Sequence, residues 1–316
     1  MDTNFDIIII GGGPSGMTAG IYAARAGMKV LLIEKAGVGG QVAVTGAIAN
    51  YPGFKMIDGM QLSMQMFEQM TDLGVQTVFG AVDTVEMKDD IKQVVSNGVT
   101  YSAPAIILSM GAHSRGLDVE GEKKFIGRGV SYCAVCDGAF FRNKTVAVVG
   151  GGNTALEDAI YLANLVQKVY LIHRRQEFRA DQSVIDEFYE LVNKEGSNIE
   201  LKLENVVEEV KGQNKVESLV LRNVLTQQKE EVAVDGVFVA IGRNPNTELL
   251  NETVALENGY IVVNEAMETS IKGVFASGDI TKKSLRQIAT AISDGAIAGT
   301  NASNYVKKYK KEQING

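Results

Sequence analysis

The sequence predicts an α/β fold containing two Rossmann-like dinucleotide-binding domains, and three observations carry that prediction. Of 316 residues, 45% are hydrophobic and 22% charged, with 34 Gly and only 4 Pro; this is the composition of a globular α/β chain, long enough for two cores. The segment Gly11-Gly12-Gly13-Pro14-Ser15-Gly16 recurs 139 residues later as Gly150-Gly151-Gly152-Asn153-Thr154-Ala155. The match then continues without a gap, pairing Ile21 with Ile160, Tyr22 with Tyr161, Ala24 with Ala163, Lys29 with Lys168, Val30 with Val169, Leu32 with Leu171 and Ile33 with Ile172. One βαβ unit is present twice.

Each copy opens on a short apolar strand, Ile7 to Ile10 or Val146 to Val149. It passes through the glycine turn into an Ala-rich helix and closes with a strand ending at Ile33 or Ile172. That context turns a glycine pattern into a dinucleotide fingerprint. The first Gly makes the tight turn, the second lets backbone approach a pyrophosphate, and the third Gly or Ala permits close helix packing, with the phosphates on the helix N-terminus. The two copies differ at the end of the second strand. In the first stands Glu34, an acceptor for ribose hydroxyls. At the same place in the second stands His173, followed by Arg174, Arg175 and Arg179. Guanidinium groups bind a 2′-phosphate that a carboxylate would repel, so the second site is expected to prefer NADPH. The bland alternative is a solvated basic cluster on a loop.

The only two cysteines, Cys133 and Cys136, are spaced as CxxC, and there are only two histidines, His113 and His173. A zinc site of Cys and His would consume all four, and no metal is expected. A disulfide closing so small a ring stabilises by only about 2 kcal/mol in the loop-entropy model. The pair is better suited to cycling between dithiol and disulfide.

Between and beyond these motifs, Gly37 to Gln41 reads as a flexible loop and Asn50-Tyr51-Pro52-Gly53 as a turn. Met60 to Leu73 has helical spacing, with Met64, Met66 and Met70 expected in the core. Residues 75 to 112 read as β-rich, ending in the buried-strand run Ala105 to Leu108; Gly236 to Ile241 is a second such run. Val274 to Ala276 leads into Ser277-Gly278-Asp279, where Asp279 reads equally as a helix cap. A helix from near Gln287 carries Ala289, Ala291, Ala296 and Ala298, small enough to pack on a flat ring system, and Lys307 to Lys311 reads as a solvated helix end. Charge excludes some partners: 31 Lys and Arg against 38 Asp and Glu, a net −7, leave no electrostatic footprint for nucleic acid or an acidic membrane. The acidic N-terminus and the short apolar run after it are not a signal peptide, so the expected location is cytoplasmic.

The motifs GGGPSG, GGQ, YPG, CAVCDG, GGGNTA, HRRQEFR, IGRNPNT, SGDI and RQIATA, in that order, resemble those of the low-molecular-weight thioredoxin reductases, pyridine nucleotide-disulfide oxidoreductases. The resemblance covers nearly the whole chain. It implies a three-layer FAD/NAD(P)-binding fold with the second domain inserted in the first: an FAD-binding domain of residues 1–114 and 245–316, and an NADPH-binding domain of residues 115–244 carrying the redox pair. It implies that FAD is held by Gly11, Gly13, Ser15, Gly16, Glu34, Gly40, Gln41 and Asn50, and by Gly278, Asp279, Arg286, Gln287 and Ile288. NADPH would be held by Gly152, Asn153, Thr154, His173, Arg174, Arg175 and Arg179. Cys136 would face the flavin, Cys133 would attack thioredoxin, and Asp137 would be the proton donor, although Asp137-Gly138 is also an ordinary turn pair. A homodimer is implied. The motif departs from the family at Ala139, which precedes Phe140 and Phe141 where two aromatic residues contact thioredoxin; Arg128 keeps its family position. A different class of function, a flavin-bearing redox sensor without turnover, is distinguished by whether NADPH rapidly bleaches the flavin.

Overall fold

The computed structural model describes residues 2–45, 47–87, 90–250 and 253–315. Its helices are α1 (Pro14–Arg25), α2 (Gly59–Asp72), α3 (Ala134–Asp137), α4 (Asn153–Ala163), α5 (Gln182–Val192) and α6 (Ile288–Asn315). The chain divides into two compact units, one of residues 1–113 and 244–316 and the other of residues 114–243.

In the outer unit, strands Val274–Ala276, Ala105–Leu108, Ile7–Ile10, Val30–Glu34 and Gln76–Phe79 form a parallel sheet in that order. Ile7 to Ile10 is buried at every residue, as expected of a strand covered on both faces. Ile7 and Ile9 face one core with Met17 of α1, Leu62, Met66 and Met70 of α2, and Ala298 and Ala302 of α6. Ile8 and Ile10 face another with Val94 and Tyr101, from the antiparallel sheet of Val82–Glu86, Lys92–Ser96 and Val99–Ala103.

The inserted unit repeats this plan. Its parallel sheet runs Val130–Ser131, Gly236–Val239, Thr145–Val149, Lys168–His173 and Ile199–Leu203. Val146 and Val148 pack on α4 and α5 through Leu156, Leu162 and Phe188. Ala147 and Val149 pack on Val207, Leu219 and Leu221, which belong to the antiparallel sheet Asn205–Lys211, Ser218–Asn223 and Lys229–Ala233. The repeat extends to register: Ile10 lies opposite Ile33 in one unit, and Val149 opposite Ile172 in the other. Both units are three-layered, with helices, a parallel sheet and an antiparallel sheet. Among the described residues no helix is long and apolar enough to cross a membrane.

Several expectations need correction. Met66 and Met70 are buried, but Met64 is exposed, because it lies on the outer side of α2. Gly37 to Gln41 is not a free loop: Gly39 N–H donates to the Gly12 carbonyl at 2.7 Å, and its backbone lies against Ser63, where a Cβ would come within 2.2 Å of the hydroxyl. Asp279 sits in the single 3₁₀ turn Gly278–Ile280, before α6 begins at Ile288. Small residues of α6 also serve helix packing. Gly295 and Gly299 lie where a Cβ would strike the Ser15 and Ala19 carbonyls of α1, Ala298 is in the core, and Ala289 is exposed.

Candidate active site

The two glycine turns are built alike, residue for residue. Gly11 has φ +107°, and a Cβ on it would lie 2.4 Å from the Ser109 carbonyl oxygen at the end of the neighbouring strand; its counterpart Gly150 approaches the Ala240 carbonyl to 2.3 Å by the same measure. Only glycine allows so close a passage. Above Gly13 and Gly152, which start α1 and α4, a Cβ would meet nothing within 4 Å, and neither helix start carries a side-chain cap. Both helix starts therefore lie beside open space at Gly13 and Gly152.

Beneath each turn lies the residue that closes the second strand. Glu34 accepts from Gly12 N–H at 2.6 Å and from Ala36 N–H at 3.0 Å. His173 lies under Gly151, where a Cβ would come 2.2 Å from its ring, and Nε2 is 3.1 Å from the Glu177 carbonyl. Burial pushes the His173 imidazole below its ordinary pKa, opposed by its bond to the Glu177 carbonyl and aided by Arg174, Arg175 and Arg179. Arg179 N–H ties the following loop to the Gly151 carbonyl at 2.7 Å. The side chains of Arg174, Arg175 and Arg179 are exposed. Asn153 points sideways, exchanging hydrogen bonds with Asp181 at the start of α5 (2.6 and 2.8 Å), while Thr154 is exposed.

In the outer unit, Ser277 joins the two halves of the sequence. Its hydroxyl is 2.8 Å from that of Ser15 and 2.9 Å from that of Ser109, all three buried. Gly278, at φ +80°, has Ser15 against it. The Gly278 N–H donates to Asp294 at 3.0 Å, its carbonyl accepts from the Thr281 hydroxyl at 2.8 Å, and Asp294 also holds the Lys283 ammonium. Asn50 donates to Gln287 at 3.1 Å, and Gln41 donates to the Ala112 carbonyl. Gly40 lies beside Gly13. Arg286 stacks on Tyr260, its Cζ 4.2 Å from the ring centroid, with its buried Nε left without a partner. Ser277 opens the SGDI motif, but Ser109, Lys283 and Asp294 belong to no motif singled out in the sequence; only the depth of their burial marks them.

Cys133 and Cys136 are disulfide-bonded, with Cα atoms 5.3 Å apart. Cys133 caps α3, its sulfur accepting from Cys136 N–H at 3.2 Å. Asp137 receives a 2.6 Å hydrogen bond from the Ser131 hydroxyl; burial raises its pKa, and the Ser131 bond opposes that rise. Phe140 is exposed near the pair, as is Val135. Phe141 instead belongs to the core, edge-on to Phe238 at 5.3 Å.

Comparison with known proteins assigns this architecture. Residues 5–295 match the pyridine nucleotide-disulphide oxidoreductase family. The chain belongs to that family. A thioredoxin reductase of Listeria innocua is 42% identical over 309 residues, covering 97% of this chain and 95% of the relative. One from Bacillus subtilis is 41% identical, covering 97% and 96%. The crystal structure of thioredoxin reductase from Streptococcus pyogenes superimposes with a TM-score of 0.91 at 40% identity, over 98% of this chain and all of that one. Membership in the family implies use of a flavin and a pyridine nucleotide, and the residues present fit both. The open helix starts above Gly13 and Gly152 suit phosphates, the lone Arg286 Nε is a buried donor awaiting an acceptor, and the Cys133–Cys136 disulfide is a redox-active centre.

Proposed function

We propose that the protein is an NADPH-dependent thioredoxin-disulfide reductase, with FAD held in the outer unit and NADPH in the inserted one. The observation that carries the reading is the closed CxxC disulfide lying in the same unit as a glycine turn followed by three exposed arginines. FAD would be held by the Gly11–Gly16 turn, Glu34, Gly40, Gln41, Asn50, Gly278, Asp279 and Arg286 to Ile288. When bound it supplies hydride-accepting and electron-transfer chemistry that side chains lack. Gly152, Asn153 and Thr154 would face the pyrophosphate of NADPH, and Arg174, Arg175 and Arg179 its 2′-phosphate. His173 acts from below, holding the turn in place.

The chain's own chemistry is thiol–disulfide exchange. Reduction opens the Cys133–Cys136 bond. The Cys133 thiolate attacks the thioredoxin disulfide, forming a mixed disulfide and releasing one thioredoxin thiolate; Cys136 then attacks Cys133, restoring the enzyme disulfide and releasing the second. Asp137, kept protonated more readily by burial, would give a proton to a departing thiolate. Exposed Phe140, Val135 and Arg128 offer a surface for thioredoxin, with a single aromatic in place of two. The exposed run of Val44, Phe54, Met56, Met60 and Met64 supports a homodimer that covers it, and we place the enzyme in the cytoplasm. The test is NADPH oxidation at 340 nm by the purified flavoprotein with and without oxidised thioredoxin. Turnover that requires thioredoxin is expected; flavin bleaching without turnover on any thioredoxin would overturn the reading.

A further inference from the structure

We propose that Ser131 is the positioning partner of Asp137, a hydroxyl that reverses its hydrogen-bond direction as Asp137 gives up or takes a proton. The inference rests on the reading of Asp137 as the proton donor of the redox pair.

Ser131 ends the strand Val130–Ser131 and lies opposite Phe238 in the parallel sheet. It is 5% exposed. Its Oγ lies 2.6 Å from Asp137 Oδ2, 3.1 Å from the Cys133 amide nitrogen and 3.4 Å from the Cys133 carbonyl oxygen. A hydroxyl has one proton and two lone pairs, so these three neighbours are used differently in the two protonation states. With Asp137 ionised, Ser131 donates to the carboxylate and accepts from Cys133 N–H. With Asp137 protonated, the carboxyl donates to Oγ, and the Ser131 proton turns to the Cys133 carbonyl. Cys133 N–H is satisfied throughout, and no heavy atom has to move. In the exchange one proton passes from the Asp137 carboxyl to the sulfur that is leaving, and Ser131 stays neutral.

The arrangement also places the carboxyl. Asp137 N–H donates to the Cys133 carbonyl at 3.1 Å, so backbone and side chain are both tied to the residue that reacts with the partner. Burial favours the protonated acid, and donation from Ser131 favours the carboxylate. Cys133 and Cys136, disulfide-bonded here, share its turn, α4, which packs against α3, carries Glu157, Asp158 and Tyr161, and the Arg243 guanidinium reaches the Tyr132 carbonyl beside the pair. None acts on Asp137 as strongly as burial and Ser131 do.

The experiment compares Ser131→Ala and Ser131→Thr, each with and without Asp137→Asn, in the FAD-loaded enzyme. Asp137 is titrated in the oxidised protein by carboxyl ¹³C NMR, with Asp137→Asn fixing the assignment. Oxidation of the pre-reduced enzyme by oxidised thioredoxin is followed by stopped flow from pH 5.5 to 9. Ser131→Ala should move the Asp137 midpoint upward and slow thioredoxin reduction by roughly tenfold at pH 7, the loss expected for a hydrogen bond to a charged group. The basic limb of its pH profile should move upward as well. Ser131→Thr, which keeps the hydroxyl, should restore the midpoint. In the Asp137→Asn background the Ala substitution should cost less than about twofold, since coupled residues are not additive. An unmoved Asp137 midpoint, or an equal loss from Ser131→Ala with Asp or Asn at 137, would overturn the proposal. Should the wild type reduce no thioredoxin, the reductase reading falls, while the Asp137 titration still decides the role of Ser131.

Discussion

Replacing Asp294 by Ala should be one of the costliest single changes in the outer unit. Its carboxylate accepts from the Gly278 N–H at 3.0 Å and from the Lys283 ammonium, and the side chains of Asp294 and Lys283 are only 13% and 14% exposed. Truncation leaves an ammonium buried without its counter-charge and a backbone N–H without an acceptor. Breaking a buried pair from one side costs about 3–5 kcal/mol, most of it the desolvation of the charge left behind. For a unit of this size each kcal/mol lowers the melting temperature by about 2–4 °C, so a fall of about 6–20 °C is expected. Adding Lys283→Met removes the stranded charge and keeps an apolar stem of similar length. The double variant should then recover to a loss of about 1–3 kcal/mol, the cost of the unsatisfied Gly278 N–H alone. Calorimetry on the flavin-free protein measures both, and flavin retention on gel filtration should fall in both, because Gly278 loses the bond that holds its turn. If the double variant were no more stable than Asp294→Ala, or the single variant lost under about 1 kcal/mol, the argument from a buried pair would fail.

Removing the guanidinium of Arg174 or Arg175 should cost roughly 1.5–3 kcal/mol in kcat/KM for NADPH, about tenfold or more, and little for NADH; equal kcat/KM for the two coenzymes in the wild type would contradict a 2′-phosphate site. Cys136→Ser should accumulate a mixed disulfide with a thioredoxin lacking its resolving thiol, and Cys133→Ser should accumulate little; equal trapping on non-reducing gels would reverse the roles. Asp158 is pushed up to about 7, by burial first and Glu157 second, against the pull of Arg243. A carboxyl whose folded pKa lies above its unfolded one stabilises the fold below about pH 4 and loses that contribution as pH rises through 7. Asp158→Asn should therefore gain stability over the wild type by about 1–3 kcal/mol at pH 8 and by less at pH 5, as read from urea unfolding at both.

What the sequence announced best was whatever repeats or alternates. Ile7 to Ile10, Val146 to Val149, Ala105 to Leu108 and Gly236 to Val239 are short apolar runs next to glycine turns, and all four are central strands buried at nearly every residue. The third layer of the inserted unit was illegible for the opposite reason. Asn205–Lys211 is half-buried and Lys229–Ala233 mostly exposed, and their charged residues pair across the sheet, as Lys211 does with Glu231 and Glu208 with Arg222 of Ser218–Asn223; such strands carry no continuous apolar run. Met64 shows the limit of composition as a guide, because its helical spacing is compatible with two faces and only packing decides which one is buried.

At the site, motif logic locates turns but does not say what lies under them. At the position that closes the second strand, the sequence offers Glu34 as a ribose acceptor in one copy and His173, followed by arginines suited to a 2′-phosphate, in the other. In the fold that position first supports the turn itself: Glu34 by accepting the Gly12 N–H, His173 by filling the space beneath Gly151. The side chain can therefore differ between copies, provided it holds the turn at the height where the helix start is open. Glu34 holds it by hydrogen bond and leaves lone pairs free on its carboxylate. His173 holds it by volume and spends Nε2 on Glu177, so the proposed phosphate recognition falls to the arginines that follow. The repeated unit thus keeps the scaffold's demand at this position while the side chain that meets it differs, which leaves the two copies free to serve the two different nucleotides proposed for them.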